Sequence, residues 1–270
     1  MDYMKFICLG SGSSGNCYVL WTPRTCITID AGLGIRTLKR SLQSAGLDLS
    51  SVDATLVTHD HADHIKAVGY MAKDYHIPIY ATALVHKGIN NNYSVGIKVQ
   101  PEYQNVIEKD VPFEVGDFRV TAFDVPHDST DCCGYRVEAC GTSLTLMTDV
   151  GCVCSSVAAQ VRTAAYLVVE ANHDIEMLKH GTYPAYLKGR ITSGSGHLSN
   201  AACGPLLADN VTAAIRHVWL CHLSEENNHP ELARKTVDSV LRSYGIVTPK
   251  DFPLEVLRRK APSEIYELRP

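Results

Sequence analysis

Residues 57–69 read VTHDHADHIKAVG and put three histidines and two aspartates into the six positions from His59 to His64. They follow the apolar run DATLV, so a buried strand ends here and the chain turns out of its sheet into a loop and then a helix. So many ionisable side chains at a strand end need a counter-charge to organise them. Neutral imidazole and carboxylate are the ligands that zinc and related ions take at ~2.0–2.2 Å. His59 and His61 are therefore expected to face one ion, and Asp63 and His64 a second. The fold must also bring further ligands to this place from elsewhere in the chain.

The candidates are polar residues that close apolar runs. His127 follows TAFDVP, Asp149 follows SLTLMT and His222 follows HVWLC. Residues at the ends of neighbouring strands can converge, so these three complete a set of seven in which Asp149 can bridge two ions. His217 and His229 compete for the last place. His217 lies inside its strand and His229 beyond the loop LSEENN, which favours His222.

Between these points short strands and helices alternate. Strands are expected at KFICLG, CYVLW, TCITID, DATLVTH and PIYAT, with helices over GIRTLKRSLQSAG and HIKAVGYMAKDYH. FEVGDFRVTAFDVPHD reads as two strands and CGYRVEACGTSLTLMTDVG as a hairpin turning at Gly141. A helix over residues 154–163 precedes the strand AYLVVEAN, and helical pieces at DIEMLKHG and NAACGPLLADN precede the strand IRHVWLCH. A helix over PELARKTVDSVLRSYG follows, and the tail segments PLEVLRR and SEIYELR read as a closing β pair. No repeat or linker divides the 270 residues, and 45% hydrophobic content supplies a sizeable core, so a single α/β domain spanning 1–270 is expected.

The motifs GSGSSGN, IDAG, THDHADHI, EANHD, GHLSN and CHLSEENN resemble the metallo-β-lactamase superfamily and, within it, the YycJ/WalJ group of small nucleases. The resemblance runs along nearly the whole chain. It implies a four-layer αββα sandwich of metallo-β-lactamase type. It also implies two divalent ions, zinc or manganese, one held by His59, His61 and His127 and the other by Asp63, His64 and His222, with Asp149 between them.

Two close divalent ions activate water and stabilise both oxygens of an in-line displacement, so the expected activity is hydrolysis. A phosphodiester is the favoured substrate, and a DNA nuclease the favoured function. The 5′ exonuclease direction and the preference for DNA over RNA come from the resemblance alone. The alternatives are a thioesterase or lactonase of the same fold, and a regulatory module that binds metal without turnover; the intact ligand set speaks against the latter. His197 in GHLSN is expected to orient phosphate or act as general acid, with Asp63 as the other catalytic residue. Substrate contacts are expected from Ser13, Ser14 and Asn16 of the Gly/Ser loop, from Lys188 and Arg190 of the basic stretch MLKHGTYPAYLKGRI, and from Ser199 and Asn200, which can also cap a helix. Glu170, His173 and Asp174 of EANHD are candidates for supporting the ligands from behind.

The net charge of −4 excludes a strongly basic, histone-like binder without excluding a local basic groove. Ten scattered cysteines, with no CxxC pair, read as reduced thiols. The opening MDYMKFICLG lacks a basic, apolar leader and no segment is apolar enough to span a bilayer, so a cytoplasmic protein without membrane contact is expected.

Overall fold

The computed structural model describes residues 3–270. In chain order the first elements are β1 (Met4–Gly10), β2 (Cys17–Trp21), β3 (Cys26–Ile29), α1 (Ile35–Ser44), β4 (Ala54–Leu56), α2 (Ala62–Ile65), α3 (Val68–Tyr75), β5 (Ile79–Ala81), α4 (Ala83–Asn91) and β6 (Gln104–Val106). They are followed by β7 (Phe113–Val115), β8 (Phe118–Asp124), β9 (Cys133–Ala139), β10 (Thr142–Met147), α5 (Ser155–Thr163), β11 (Tyr166–Glu170), α6 (Ile175–His180) and α7 (Ala185–Ile191). The last are α8 (Asn200–Asn210), β12 (His217–Cys221), α9 (Pro230–Ser243), β13 (Leu254–Val256) and β14 (Tyr266–Leu268). The strands form two seven-stranded mixed sheets, in the orders β14-β1-β2-β3-β4-β5-β6 and β13-β12-β11-β10-β9-β8-β7.

Two compact units are distinguished, interleaved in sequence: residues 3–122, 129–142 and 258–270 make the first, and 123–128 with 143–257 the second. In the first, β1, β2 and β3 pair antiparallel, and β3 to β6 run parallel. Leu38 and Leu42 of α1, Val68 and Met71 of α3, and Val85 and Ile89 of α4 bury one face of each helix in the core with Ile7, Val19 and Ile79. Removing such side chains from water, at roughly 25 cal/mol per Å² of apolar surface, is the main force that holds this layer. The expected turn at Gly141 is present, with Cys140 and Gly141 at φ of 51° and 75°, the left-handed pair that a tight type I′ turn requires.

In the second unit β10, β11, β12 and β13 are parallel neighbours. SLTLM, LVVE and VWLC are buried along their length, as parallel strands enclosed on both faces must be. Trp219 is fully buried and stacks on the rings of Tyr166, at 6.1 Å, and of His217, at 4.0 Å. Helices α8 and α9 pack together, with Gly204 allowing Val240 to approach to within 2.8 Å of where a Cβ would stand.

Three expectations are corrected. The tail segments do not pair with each other: β13 joins β12 in one sheet and β14 joins β1 in the other. The helix expected across residues 64–76 is broken into α2 and α3, because the Ala67 N–H leaves the helical ladder and donates to the carbonyl of Ala31 at 2.8 Å. Helices α4 and α7 were not anticipated; α4 contains Gly88, which reads as a breaker but gives room to the Asp60 carboxylate, 1.9 Å from the position of an added Cβ. All ten cysteines are free thiols. No described helix is long and apolar enough to cross a membrane.

Candidate functional site

The candidate ligand residues of the first unit stand on one short segment, locked from behind by buried polar groups. The Asp30 carboxylate, fully buried just after β3, accepts from the Thr58 backbone N–H at 2.8 Å and from Nδ1 of His64 at 2.7 Å. The Thr58 hydroxyl donates to Asp30 Oδ2 at 2.9 Å and lies 3.0 Å from Nδ1 of His59. With both Nδ1 atoms engaged by oxygen, the network assigns the proton to Nδ1 and the lone pair to Nε2 on His59 and His64. The Asn16 amide agrees, placing Nδ2, a donor, 3.0 Å from His64 Nε2. The rings of His59, His61 and His64 are clustered, with centroids 4.7 Å apart for His59 and His61 and 4.0 Å for His59 and His64.

The Gly/Ser loop holds this segment in place. Asn16 Oδ1 accepts from the Gly12 N–H at 2.8 Å, and the Asn16 N–H donates to the Asp63 carbonyl at 2.8 Å. Gly32 must be glycine for the same reason: an added Cβ would stand 1.6 Å from the Asp63 carbonyl oxygen. Ser13 and Ser14 are exposed at the tip of the loop, whereas Asn16 is fully buried and spends its amide on Gly12, Asp63 and His64.

In the second unit, Asp149, Glu170 and His222 stand at the carboxyl ends of β10, β11 and β12. Glu170 is fully buried. Its Oε2 accepts from the backbone N–H groups of Val150 at 2.8 Å and Leu198 at 2.9 Å, and its Oε1 lies 2.9 Å from Nδ1 of His197 and 3.0 Å from Nδ1 of His222. Asp149 Oδ1 is 3.5 Å from His222 Nδ1, 3.6 Å from His197 Nδ1 and 3.7 Å from His127 Nε2. His127 is anchored by its own Nδ1, 3.0 Å from the Gly196 carbonyl. Asp149, Glu170, His197 and His222 thus have ligand atoms within 4.8 Å of one another.

Backbone strain marks the same residues. Asp30, Asp149 and His222 have φ of 61°, 55° and 53°, a left-handed conformation that costs a side-chain-bearing residue energy and persists where the surroundings over-determine it.

This donor set fits divalent ions. Four of the five candidate histidine ligands have Nδ1 held by a protein oxygen, Asp30 for His64, Thr58 for His59, Gly196 for His127 and Glu170 for His222, which is the outer support that metal-ligating imidazoles take. Burial alone would pull the His197 imidazole down, but the Glu170 carboxylate beside it outweighs that and raises it above the ordinary histidine value. Burial likewise pushes the Glu170 carboxyl up, and His197 and His222 overcome it, holding Glu170 below the usual carboxylate range. The contact between Glu170 Oε1 and His197 Nδ1 leaves Nε2 of His197 as the ring's other nitrogen.

The other residues singled out in the sequence take varied places. His197, Ser199 and His173 line a cavity of about 410 Å³ in the second unit. Ser199 caps α8, accepting from the Ala202 N–H at 3.2 Å, while Asn200 is fully buried in a reciprocal amide pair with Asn228 at 2.9 Å, so it orders the helix start and presents no surface to a substrate. Lys188 donates to the carbonyls of Lys179 at 2.9 Å and Gly181 at 2.7 Å, and Arg190 is paired with Asp128, the neighbour of His127. Asp174 caps α6 by accepting from the Met177 N–H at 2.9 Å. Sequence reasoning missed Asp30, Thr58, Asn172 and Asn228. Asn228 Nδ2 donates to the carbonyls of Ala171 at 2.9 Å and Asn172 at 3.0 Å, and Asn172 Nδ2 to that of His222 at 2.8 Å, tying EANHD, GHLSN and CHLSEENN together. The only signal for these was their presence in motifs that resembled a family.

Fold and donor set together define a hydrolase of metallo-β-lactamase type, and the chain belongs to the β-lactamase superfamily, whose domain model matches residues 25–222. Within the superfamily it is 33% identical over 262 residues to exodeoxyribonuclease YycJ of Bacillus anthracis, covering 97% of this chain and 98% of that one. It is 34% identical over 248 residues to exodeoxyribonuclease WalJ of Streptococcus pneumoniae, covering 92% of each. The crystal structure of the metallo-β-lactamase fold protein YhfI from Bacillus subtilis shares the fold at a TM-score of 0.73 and 17% identity, over 99% of this chain and all of the other. The expected fold and the expected kinship with YycJ and WalJ hold.

Proposed function

We propose that the protein is a divalent-metal-dependent exodeoxyribonuclease that cleaves phosphodiester bonds from a 5′ end. The observation that carries the reading is the buried contact of Glu170 Oε1 with Nδ1 of His197, 2.9 Å away and next to Asp149 and His222, in a chain similar over nearly its full length to two exodeoxyribonucleases.

His59, His61 and His127 would hold one ion and Asp63, His64 and His222 the other, with Asp149 shared; zinc and manganese both suit such N/O donors. Bound there, two divalent ions supply Lewis acidity and a nucleophilic water at neutral pH. The chain's own contribution is proton delivery and orientation. Departure of a sugar oxygen from phosphorus leaves an alkoxide, a strong base that needs a proton. His197 supplies it from Nε2 while Glu170, fixed by two backbone N–H groups, holds Nδ1 and stabilises the positive charge. Asp63 serves both as ligand and as a catalytic carboxylate. Ser199, beside His197 in the same cavity, and Ser13 and Ser14 of the exposed loop contact the strand.

The test is incubation of metal-loaded protein with single- and double-stranded DNA and RNA labelled at either end, beside a generic thioester. Mononucleotide release from 5′ ends of DNA is expected. Thioester cleavage with intact nucleic acids would overturn the reading, and faster loss of RNA than DNA would reassign its substrate.

A further inference from the structure

Beyond the ligand segment, the first unit carries an open groove of about 680 Å³ lined by Gly34, Arg36, Lys39, Lys66, Tyr70 and Tyr75. It contains three cations against one lining carboxylate, Asp74, in a chain whose net charge is −4. Arg36 and Lys66 are exposed and make no ion pair among the described residues. Lys39 lies over the ring of Tyr75, 5.5 Å from its centroid, and Tyr70 is 36% exposed.

The helix that forms one wall is built against its own stability. Helix α1 starts at Gly34 with no side-chain cap and no acidic residue in its first turn, and Arg36 stands in that turn instead. A cation at the positive end of a helix is unfavourable, and Ser, Thr, Asp or Asn would ordinarily close this end. Nothing in the backbone demands glycine at position 34: φ is −61° and an added Cβ would meet no atom within 4 Å. Three cations and an uncapped helix end converge where a bound polyanion would relieve the conflict, and an exposed tyrosine offers a ring to a base. The walls are also tied to the ligand segment, through the bonds from Ala31 N–H to the His64 carbonyl at 2.7 Å and from Ala67 N–H to the Ala31 carbonyl at 2.8 Å.

We infer that this groove binds the phosphate backbone of a single DNA strand, through Arg36, Lys39, Lys66 and the open end of α1, with Tyr70 stacking on a base. The inference rests on the nuclease reading for its choice of strand, but it concerns residues outside the ligand and proton-donor sets.

The test is fluorescence anisotropy with metal-loaded protein and a phosphorothioate oligodeoxynucleotide, which resists cleavage, titrated at several salt concentrations. Charge reversal of Arg36 and Lys66 to Glu should weaken binding at least tenfold and lower the slope of log affinity against log salt by about 1.4, at ~0.7 per phosphate contact on a single strand. Tyr70→Leu should weaken it about tenfold and Tyr70→Phe should not, since stacking needs only the ring. Gly34→Asp should raise the melting temperature by capping α1 while weakening binding, opposite effects that misfolding does not produce. Unchanged affinity and salt slope on charge reversal would overturn the inference. So would a Tyr70→Leu protein that binds as tightly as wild type, because the groove would then be a generic polyanion surface. Failure of the nuclease reading is seen separately, as absence of strand cleavage, and leaves the titration readable.

Discussion

One carboxylate oxygen of Glu170 lies 2.9 Å from Nδ1 of His197. The same oxygen lies 3.0 Å from Nδ1 of His222, so a single buried carboxylate orients both the proposed proton donor and a candidate metal ligand.

His197→Ala is expected to keep its metal and its melting temperature while phosphodiester cleavage falls by roughly 10²–10⁴. A nitrophenyl phosphodiester, whose leaving group departs without a proton, should lose much less. Parallel rate measurements on the two substrates decide the role: equal losses would mean that His197 orients phosphate, and no loss on either would remove it from the chemistry.

Asp149→Ala should abolish hydrolysis and lower the metal bound per chain at both sites, and the double change of His59 and His61 to Ala should lower metal content as well. Elemental analysis after reconstitution with zinc or manganese checks both. Near-normal turnover without Asp149 would refute the bridging assignment.

Asp30→Asn separates support from ligation. Asn tolerates the left-handed backbone at position 30, where φ is 61°, so the chain should fold. The amide still accepts from Thr58 N–H but no longer offers His64 an anionic acceptor, and affinity for metal should fall about 10–100-fold. A competition titration against a chelator reads this directly.

His217 predicts a pH effect on stability unrelated to catalysis. Burial against Trp219, opposed by the partly exposed Glu255 carboxylate, pulls its imidazole down to about 4. The unfolded chain, with a histidine value near ~6.5, binds this proton first, so the full stability is present above the unfolded value and is lost as pH falls from about 6.5 to about 4. His217→Gln should flatten that window, by on the order of 2 kcal/mol at its acid end. Denaturant midpoints measured at pH 7 and pH 4.5 test it; an unchanged difference between them would refute the assignment.

What the sequence determined by itself is local. His59, His61, Asp63 and His64 are close because they are close in the chain, and the buried parallel strands before Asp149 and His222 could be recognised as apolar runs ending in a polar residue. The amphipathic period of α1 and α9 was equally legible, since a helix face repeats every three to four residues. Tertiary structure decided the rest. Asp30 is 34 positions from the His64 it holds, and Glu170 is 52 positions from His222, so no spacing rule links them. The segments β13 and β14 look like partners in sequence, yet each hydrogen-bonds to a strand of a different sheet, because an edge strand is satisfied by whichever edge the fold leaves open beside it. Helix α4 was hidden by Gly88, whose purpose, room for the Asp60 side chain, exists only once the chain has folded.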